Sequence, residues 1–394
     1  MSLIRLFHPL PMLVGLVLAA RAEDRPIQPA GVREMMTRVC DWQLGHFSGR
    51  TTNRAEKDTP EVIREDGWIR GVVYAGVLAH YRTVQDQRYL DAALTWAERN
   101  RWQLGPKLRN ADDQCVGQAY LEMFLLRKDP IMLAGTQARF EQIRAAPRWG
   151  TEYGWEKGTN WAWCDALFMA APTLARLARA TGDTAYLTLM NRMWWEAHAY
   201  LYDPVERLYF RDASYFIRSD GTGPRTPSGK KVFWGRGNGW ALAGLTRVLQ
   251  FLPGEFADRP RYVALYREIA ARIRDLEQND GLWRSSLNDP EWFPAKESSC
   301  SALFCFSLAW GVNAGLIDRA SYVPVVERAW RGLEGCVDSS GRIGWVQLTG
   351  HDPRLVDPND TLDYAAGAFL LAGEQMVELE GKPRERRSPH CNNQ

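Results

Sequence analysis

From about residue 30 onward, apolar residues recur at helical spacing, and two kinds of helix alternate along the chain. One kind is rich in small residues and apolar on nearly every side. Its first example, Gly71-Val72-Val73-Tyr74-Ala75-Gly76-Val77-Leu78, is opened by Asp66-Gly67-Trp68-Ile69. The other kind is amphipathic, as in Tyr89-Leu90-Asp91-Ala92-Ala93-Leu94-Thr95-Trp96-Ala97, and follows the short turn Val84-Gln85-Asp86-Gln87. The alternation returns at Asp112 (Ala119 to Phe124) and at Trp163 (Ala166 to Ala171, with a partner after Thr181-Gly182-Asp183). It returns again at Gly235 (Leu242 to Leu249, then Arg261 to Leu276) and at Ser299 (Ala302 to Val312, then Tyr322 to Cys336). A half-repeat at Thr361 (Tyr364 to Leu371, then Gly373 to Leu379) is the last.

Six openings at intervals of roughly 45 to 70 residues define a repeated unit. Such a unit cannot bury its apolar faces alone and must stack on its neighbours. An open solenoid would expose two end faces and would need polar capping repeats, and neither terminal repeat has that character. A closed ring needs none. The pattern therefore predicts an all-α chain folded as one (α/α)6 barrel over residues 23–381, a six-hairpin toroid with small-residue helices inside and amphipathic ones outside. Residues 200–235 and 280–297 interrupt the pattern with Tyr209-Phe210-Arg211, Lys231-Val232-Phe233 and Gly281-Leu282-Trp283-Arg284. These read as a few short strands or as long inter-repeat loops, where sites are commonly built.

The two termini fall outside the repeat. Arg5, the apolar run Leu10 to Ala20 and the Ala20-Arg21-Ala22 triplet form a signal peptide over residues 1–22, an uncleaved N-terminal anchor being the alternative. The run is too short to span a bilayer. Cleavage would leave a periplasmic or secreted protein without membrane contact. Residues 382–394, with Lys382-Pro383-Arg384-Glu385-Arg386-Arg387, read as a disordered basic tail.

A net charge of +2 over 394 residues gives no electrostatic case for nucleic acid. Seventeen Trp, 14 Tyr and 14 Phe suit either a sugar-stacking cleft or a large helical core. The seven cysteines follow no metal-binding spacing, and several sit among apolar residues as small buried hydrophobes. No two histidines pair at metal spacing. His80 and His198 fit exposed helix faces, whereas His351, in Gly350-His351-Asp352-Pro353, is either a site residue or a turn residue. Nucleophile-elbow, phosphate-loop and dinucleotide signatures are absent from the sequence, so neither a metal nor a cofactor is expected.

Candidate chemistry gathers at the helix openings. The stretch Trp234-Gly235-Arg236-Gly237-Asn238-Gly239-Trp240 puts three glycines, two indoles and a guanidinium at one helix mouth. A guanidinium holds an anion and an indole holds a sugar face, although a packed helix entry would use the same residues. Asp112 and Asp113 open the second inner helix, where an Asp can equally be a cap. Asp165 lies within Trp161-Ala162-Trp163-Cys164-Asp165-Ala166-Leu167. Burial beside indoles would raise its carboxyl pKa toward that of a proton donor, and a buried ion pair with an arginine is the structural alternative.

Three segments together carry a resemblance. Ala111-Asp112-Asp113-Gln114-Cys115-Val116-Gly117-Gln118, Trp163-Cys164-Asp165-Ala166-Leu167-Phe168-Met169-Ala170 and the Trp234–Trp240 stretch resemble the motif series of unsaturated uronyl hydrolases. These are glycoside hydrolase families 88 and 105, the latter often called unsaturated rhamnogalacturonyl hydrolases. The resemblance runs from about residue 40 to 380. It implies an (α/α)6 barrel that removes a 4,5-unsaturated galacturonyl or glucuronyl residue from the non-reducing end of lyase-generated oligosaccharides. An aspartic acid protonates the enol ether at C4, water adds at C5, and the hemiketal opens with loss of the sugar. By position this acid is Asp165, and the second catalytic aspartate falls on the Asp112-Asp113 pair, Asp112 by its offset from Gly117 and Asp113 as the alternative. Trp234 and Arg236 would hold the uronate, Arg236 as carboxylate partner, while Asn238, Asp113, Trp163, Trp240 and His351 complete the substrate-binding set. The chain departs from some relatives, which carry a histidine in the segment matching Leu208-Tyr209-Phe210-Arg211-Asp212. A conventional glycosidase or sugar epimerase on the same barrel, and a non-catalytic carbohydrate-binding barrel, are the alternative readings. The expected partner is an unsaturated oligosaccharide, bound by a monomer or homodimer.

Overall fold

The computed structural model describes residues 26–51, 61–145 and 161–381. The expected signal peptide (1–22) and basic tail (382–394) lie outside them. Thirteen α-helices follow one another among the described residues: α1 (Pro29–Gly45), α2 (Trp68–Val84), α3 (Gln87–Arg99), α4 (Gly117–Arg127), α5 (Ile131–Ala145), α6 (Ala166–Met169), α7 (Ala171–Thr181), α8 (Ala185–Leu201), α9 (Gly235–Leu249), α10 (Arg259–Asp275), α11 (Ser298–Asn313), α12 (Arg319–Glu334) and α13 (Tyr364–Gly381). Two-residue strands β1 (Tyr202–Asp203) and β2 (Leu208–Tyr209) pair antiparallel, with Tyr202 opposite Tyr209. Among the described residues no helix is long and apolar enough to cross a membrane.

Helices α2, α4, α6–α7, α9, α11 and α13 each pack on the next, and α13 packs on α2 to close the ring. They are buried nearly throughout; every residue of α9 is buried. The partly exposed α3, α5, α8, α10 and α12 lie outside, each against the preceding inner helix. The result is the (α/α)6 barrel that the repeat predicts, with short strands confined to an inter-repeat connection.

The sixth hairpin differs from expectation. Gly373 does not separate two helices: α13 runs unbroken from Tyr364 to Gly381, and α1 supplies the sixth outer helix. The glycine permits that contact, because a Cβ there would lie 2.6 Å from the Met36 side chain of α1. The barrel is thus closed by its own N-terminal helix. The third inner helix is split at Ala170, where Pro172 lacks the amide and the clearance that an uninterrupted helix requires.

Two histidines also depart from expectation. His80 is fully buried, with Nε2 3.3 Å from Thr37 Oγ1 and its ring against Tyr89, and burial pushes its pKa down to about 4. His198 is half-buried, stacked on Tyr202 with Nδ1 2.8 Å from the Tyr209 hydroxyl, and burial pushes it down to about 4 as well. Helical spacing marked both as outward-facing, but His80 sits on the inner helix α2 beneath Thr37 of α1, and His198 on the outer helix α8 is covered by Tyr202 and Tyr209 of the strand pair. All six described cysteines are free and buried.

Inside the ring, near the C-terminal ends of the inner helices, Glu122 of α4 accepts from three arginines. Arg82 Nη1 of α2 lies at 2.7 Å, Arg176 Nε of α7 at 2.8 Å and Arg247 Nη2 of α9 at 2.7 Å. Together they hold the Glu122 pKa well below the usual carboxylate range despite burial. Four inner helices are tied through one carboxylate. Removing one member of a buried ion network leaves the others uncompensated, at about 3–5 kcal/mol. Glu122→Ala should lose stability of that order in equilibrium denaturation, and a loss below about 1 kcal/mol would mean that the arginines find other partners.

Candidate active site

The N-terminal ends of the inner helices meet at the opposite mouth. Trp68 at the start of α2, Tyr364 at the start of α13, Trp240 in α9 and Phe168 in α6 interlock there, with ring centroids 4.8–6.1 Å apart. This aromatic floor lies beneath two carboxyl groups.

Asp112 begins a single 3-10 turn, Asp112–Gln114, and its amide donates to Asn110 Oδ1 at 2.9 Å. Burial raises its carboxyl pKa to about 7, and the charge of Asp165 pushes it further in the same direction. A cavity of about 190 Å³ borders Asp112, lined also by Arg64, Trp68, Lys107 and Asn110. Asp165 stands immediately before α6. Its pKa is raised by burial, while Arg211 and Arg236 oppose the shift. The Cys164 thiol donates toward its Oδ2 at 3.5 Å, and Arg211 Nε lies 3.8 Å from the same oxygen. Both readings of Asp165 thus meet in one residue: a carboxyl made more basic by burial, with an arginine alongside.

Asp113 borders the same cavity. Its carboxylate accepts from Arg64 Nη1 at 2.9 Å and from the Lys107 amide at 2.8 Å, so it anchors the loop before the 3-10 turn.

The Trp234–Trp240 stretch forms the entry of α9, with Trp234 as its N-cap residue. Its glycines serve packing: a Cβ on Gly237 would lie 2.7 Å from the Trp234 ring and 2.9 Å from Cys164 Sγ. Arg236 is about 1% exposed. Its Nη1 donates to the Gln347 carbonyl and to the Tyr364 hydroxyl (2.6 Å), and its Nη2 to the Leu348 carbonyl at 3.1 Å. The guanidinium lies over the rings of Trp234 and Tyr364, 4.7 and 5.0 Å from their centroids. Only Nε lacks a hydrogen-bond partner. In this structure the Arg236 fork binds main-chain carbonyls, and its charge acts on Asp165 through space.

Asn238 and Trp240, expected at the substrate, have almost no surface to offer it. Asn238 Oδ1 accepts the Tyr209 amide at 2.8 Å, while Nδ2 donates to the Tyr209 and Trp234 carbonyls, both at 3.0 Å. It splices β2 onto α9. Trp240 belongs to the aromatic floor, Trp163 is buried beside Asp165, and His351 is exposed on the loop beyond Leu348.

Gln347 has no counterpart in the sequence expectations. Its Oε1 accepts from Trp234 Nε1 at 2.9 Å and Ser285 Oγ at 3.0 Å, and its amide donates to Glu297 Oε1 at 3.0 Å. Glu297 in turn caps α11 through the amides of Ser299 and Cys300. A glutamine in a loop carries no local signal of such a role, since Trp234 lies 113 residues away in sequence. No group of His, Cys, Asp or Glu side chains among the described residues could hold a metal ion.

Comparison with known proteins adds three findings. The family model for Glycosyl Hydrolase Family 88 matches residues 35–380. An unsaturated 3S-rhamnoglycuronyl hydrolase of Formosa agariphila is 34% identical over 380 residues, covering 94% of this chain and 97% of that protein. Among solved structures, a glycosyl hydrolase family 88 protein from Bacteroides vulgatus superposes with a TM-score of 0.79 at 28% identity, covering 90% of this chain and all of that one. A protein described as a polysaccharide lyase superposes equally well, at 29% identity over 91% of this chain and 99% of its own.

The raised Asp112 has a consequence for stability. The folded state holds its proton more tightly than the unfolded chain, whose ordinary value is 3.8. The stabilisation is complete below that value and is lost as pH rises through about 7. Asp112→Asn escapes this loss, so its melting temperature should gain on the wild type between pH 4 and 7 and hold the gain at higher pH. A difference that stays constant over that range would contradict the raised value.

Proposed function

The chain belongs to Glycosyl Hydrolase Family 88, and on that premise we propose that it removes a 4,5-unsaturated uronic acid from the non-reducing end of lyase-generated oligosaccharides. Within that activity we propose an unsaturated glucuronyl residue linked to rhamnose as the favoured substrate. One observation carries the reading: two carboxyls of raised proton affinity, Asp112 and Asp165, share a mouth floored by aromatic rings.

The chemistry needs such a pair. Protonating the carbon of an enol ether requires a neutral carboxylic acid at working pH, which burial supplies. Asp165 gives its proton to C4, and positive charge develops at C5 and the ring oxygen. Water then adds to C5 and returns a proton to the Asp165 carboxylate. The C5 hemiketal opens to a ketone, and the hemiacetal left at C1 expels the second sugar as its alcohol. Asp112 holds the attacking water or a substrate hydroxyl. Trp234 and Arg236 form the wall behind them, and the Arg236 charge limits how basic Asp165 becomes.

Two features support the glucuronyl–rhamnose preference. The relative from Formosa agariphila is named for unsaturated 3S-rhamnoglycuronyl substrates. Arg211 also stands in the segment where some uronyl hydrolases have a histidine. The expected leader peptide would place the reaction in the periplasm or outside the cell.

The likeness to a protein described as a polysaccharide lyase supplies a second reading, elimination in place of hydration. The two have opposite optical signs, because a lyase creates the absorbing double bond and the proposed reaction consumes it. Unsaturated disaccharides linked to rhamnose and to galactosamine should lose ultraviolet absorbance with the wild type, faster for rhamnose. Asp165→Asn should cut kcat by about 10²–10⁴-fold. Constant absorbance with both disaccharides and a folded protein would overturn the proposal, and a rise on intact polysaccharide would favour elimination.

A further inference from the structure

We infer that Arg211, restrained by Asp212, is a positioning residue that meters the positive charge reaching Asp165, so that this carboxyl can both give up and recover a proton. The inference rests on the hydration reading for its purpose, but its geometry stands apart from it.

The arginine has little freedom of place. Its carbonyl accepts the Cys164 amide at 2.9 Å, one residue before Asp165. Two residues upstream, both main-chain polar groups of Tyr209 are bound by Asn238. The segment following β2 is therefore pinned to α9 on one side and to the Asp165 segment on the other. From that position Arg211 Nη1 donates to Asp212 Oδ2 at 2.6 Å, while its Nε remains 3.8 Å from Asp165 Oδ2. Asp212 is oriented in turn by the Ser214 amide at 2.8 Å and by the Ser214 hydroxyl. The side chains of Asp165, Arg211 and Asp212 are each 11–13% exposed, enough for a small ligand to reach them.

The two distances decide the effect. At 2.6 Å the guanidinium makes a charge-assisted hydrogen bond, and at 3.8 Å it contributes only attraction through space. Were the bond made to Asp165 instead, an adjacent arginine would lower that carboxyl by about 1–3 pH units and keep it ionised. It could not then protonate carbon. Without Arg211, the effect of burial would be opposed chiefly by Arg236, and the carboxyl would give up its proton less readily. The hydrogen bond to Asp212 keeps the guanidinium beyond hydrogen-bonding distance of Asp165, which it still attracts through space, and leaves Asp165 between these limits. Among the described residues, the other charged or titratable groups facing Asp165 are Arg236 from α9, Asp112 from the 3-10 turn and the thiol of its neighbour Cys164. None of them depends on Asp212 for its place.

Substitutions at the two ends of this pair should move Asp165 in opposite directions. Arg211→Met removes positive charge and should raise its titration midpoint by about one pH unit or more. Asp212→Asn removes the carboxylate that draws the arginine away from Asp165 and should lower the midpoint by a similar amount. Arg211→Lys keeps the charge and should remain near the wild type. The midpoint is read in the substrate-free full chain by carbon NMR of labelled aspartate carboxyls, with Asp165 assigned by its absence in Asp165→Asn. The alkaline limb of kcat/KM on the unsaturated glucuronyl–rhamnose disaccharide should follow the same order. Equal or same-signed shifts in Arg211→Met and Asp212→Asn would overturn the inference. A tenfold rise in KM for Arg211→Met with an unmoved midpoint would also overturn it, by making Arg211 a substrate ligand. A wild type without activity on unsaturated disaccharides would sink the hydration reading, and the NMR midpoints would still decide the role of Arg211.

Discussion

Closing six roughly parallel inner helices into a ring gathers their free amides at one mouth and their free carbonyls at the other. That polarity organises the molecule. Helix C-termini carry partial negative charge, and cations beside them are stabilised. Arg82, Arg176 and Arg247 occupy the carbonyl end, with Glu122 as the common acceptor that balances them. The opposite mouth favours anions. It is there that a polar substrate with a carboxylate could enter without displacing a structural ion network, and there that Asp112 and Asp165 sit.

The same polarity works against an acid that must remain protonated, because helix N-termini stabilise carboxylates. Two local features offset it at Asp165. The helix it precedes, α6, is only four residues long before the break at Ala170, so few peptide dipoles act in line. The surrounding indoles, Cys164 and the aromatic floor remove water, and burial is the dominant influence on both carboxyls. Arg211 and Arg236 then act as counterweights, each held by groups other than Asp165. The site is a balance of large opposing influences, sensitive to the position of charges several ångströms away.

The walls of this mouth join helix entries to long loops. Gln347 joins Trp234, Ser285 and Glu297, and thereby ties the entries of α9 and α11 to the segment ahead of α13. Arg236 ties α9 to the same segment through the carbonyls of Gln347 and Leu348. A rigid barrel rim supporting irregular loops lets polar groups converge without interrupting the packed core.

Much of the architecture was legible in the amino-acid sequence, because burial on all sides imposes small and apolar residues on every inner helix and the repeat of that composition is visible locally. The series of openings and the placing of Asp112 and Asp165 at inner-helix entries follow from that periodicity, whereas the sequence leaves short strands open in both 200–235 and 280–297 and the strand pair forms only in the first. What tertiary structure alone decided lies in pairings between distant residues. α1 became the sixth outer helix because Gly373 lets Met36 approach, a contact between residues more than 300 apart in the chain. Arg236 turned inward because carbonyls more than 110 residues away claimed its fork. The glycines around it make room for Trp234 and Cys164. Periodicity reports which face of a segment is buried, whereas the partner of a guanidinium or carboxylate is set by where the ring closes.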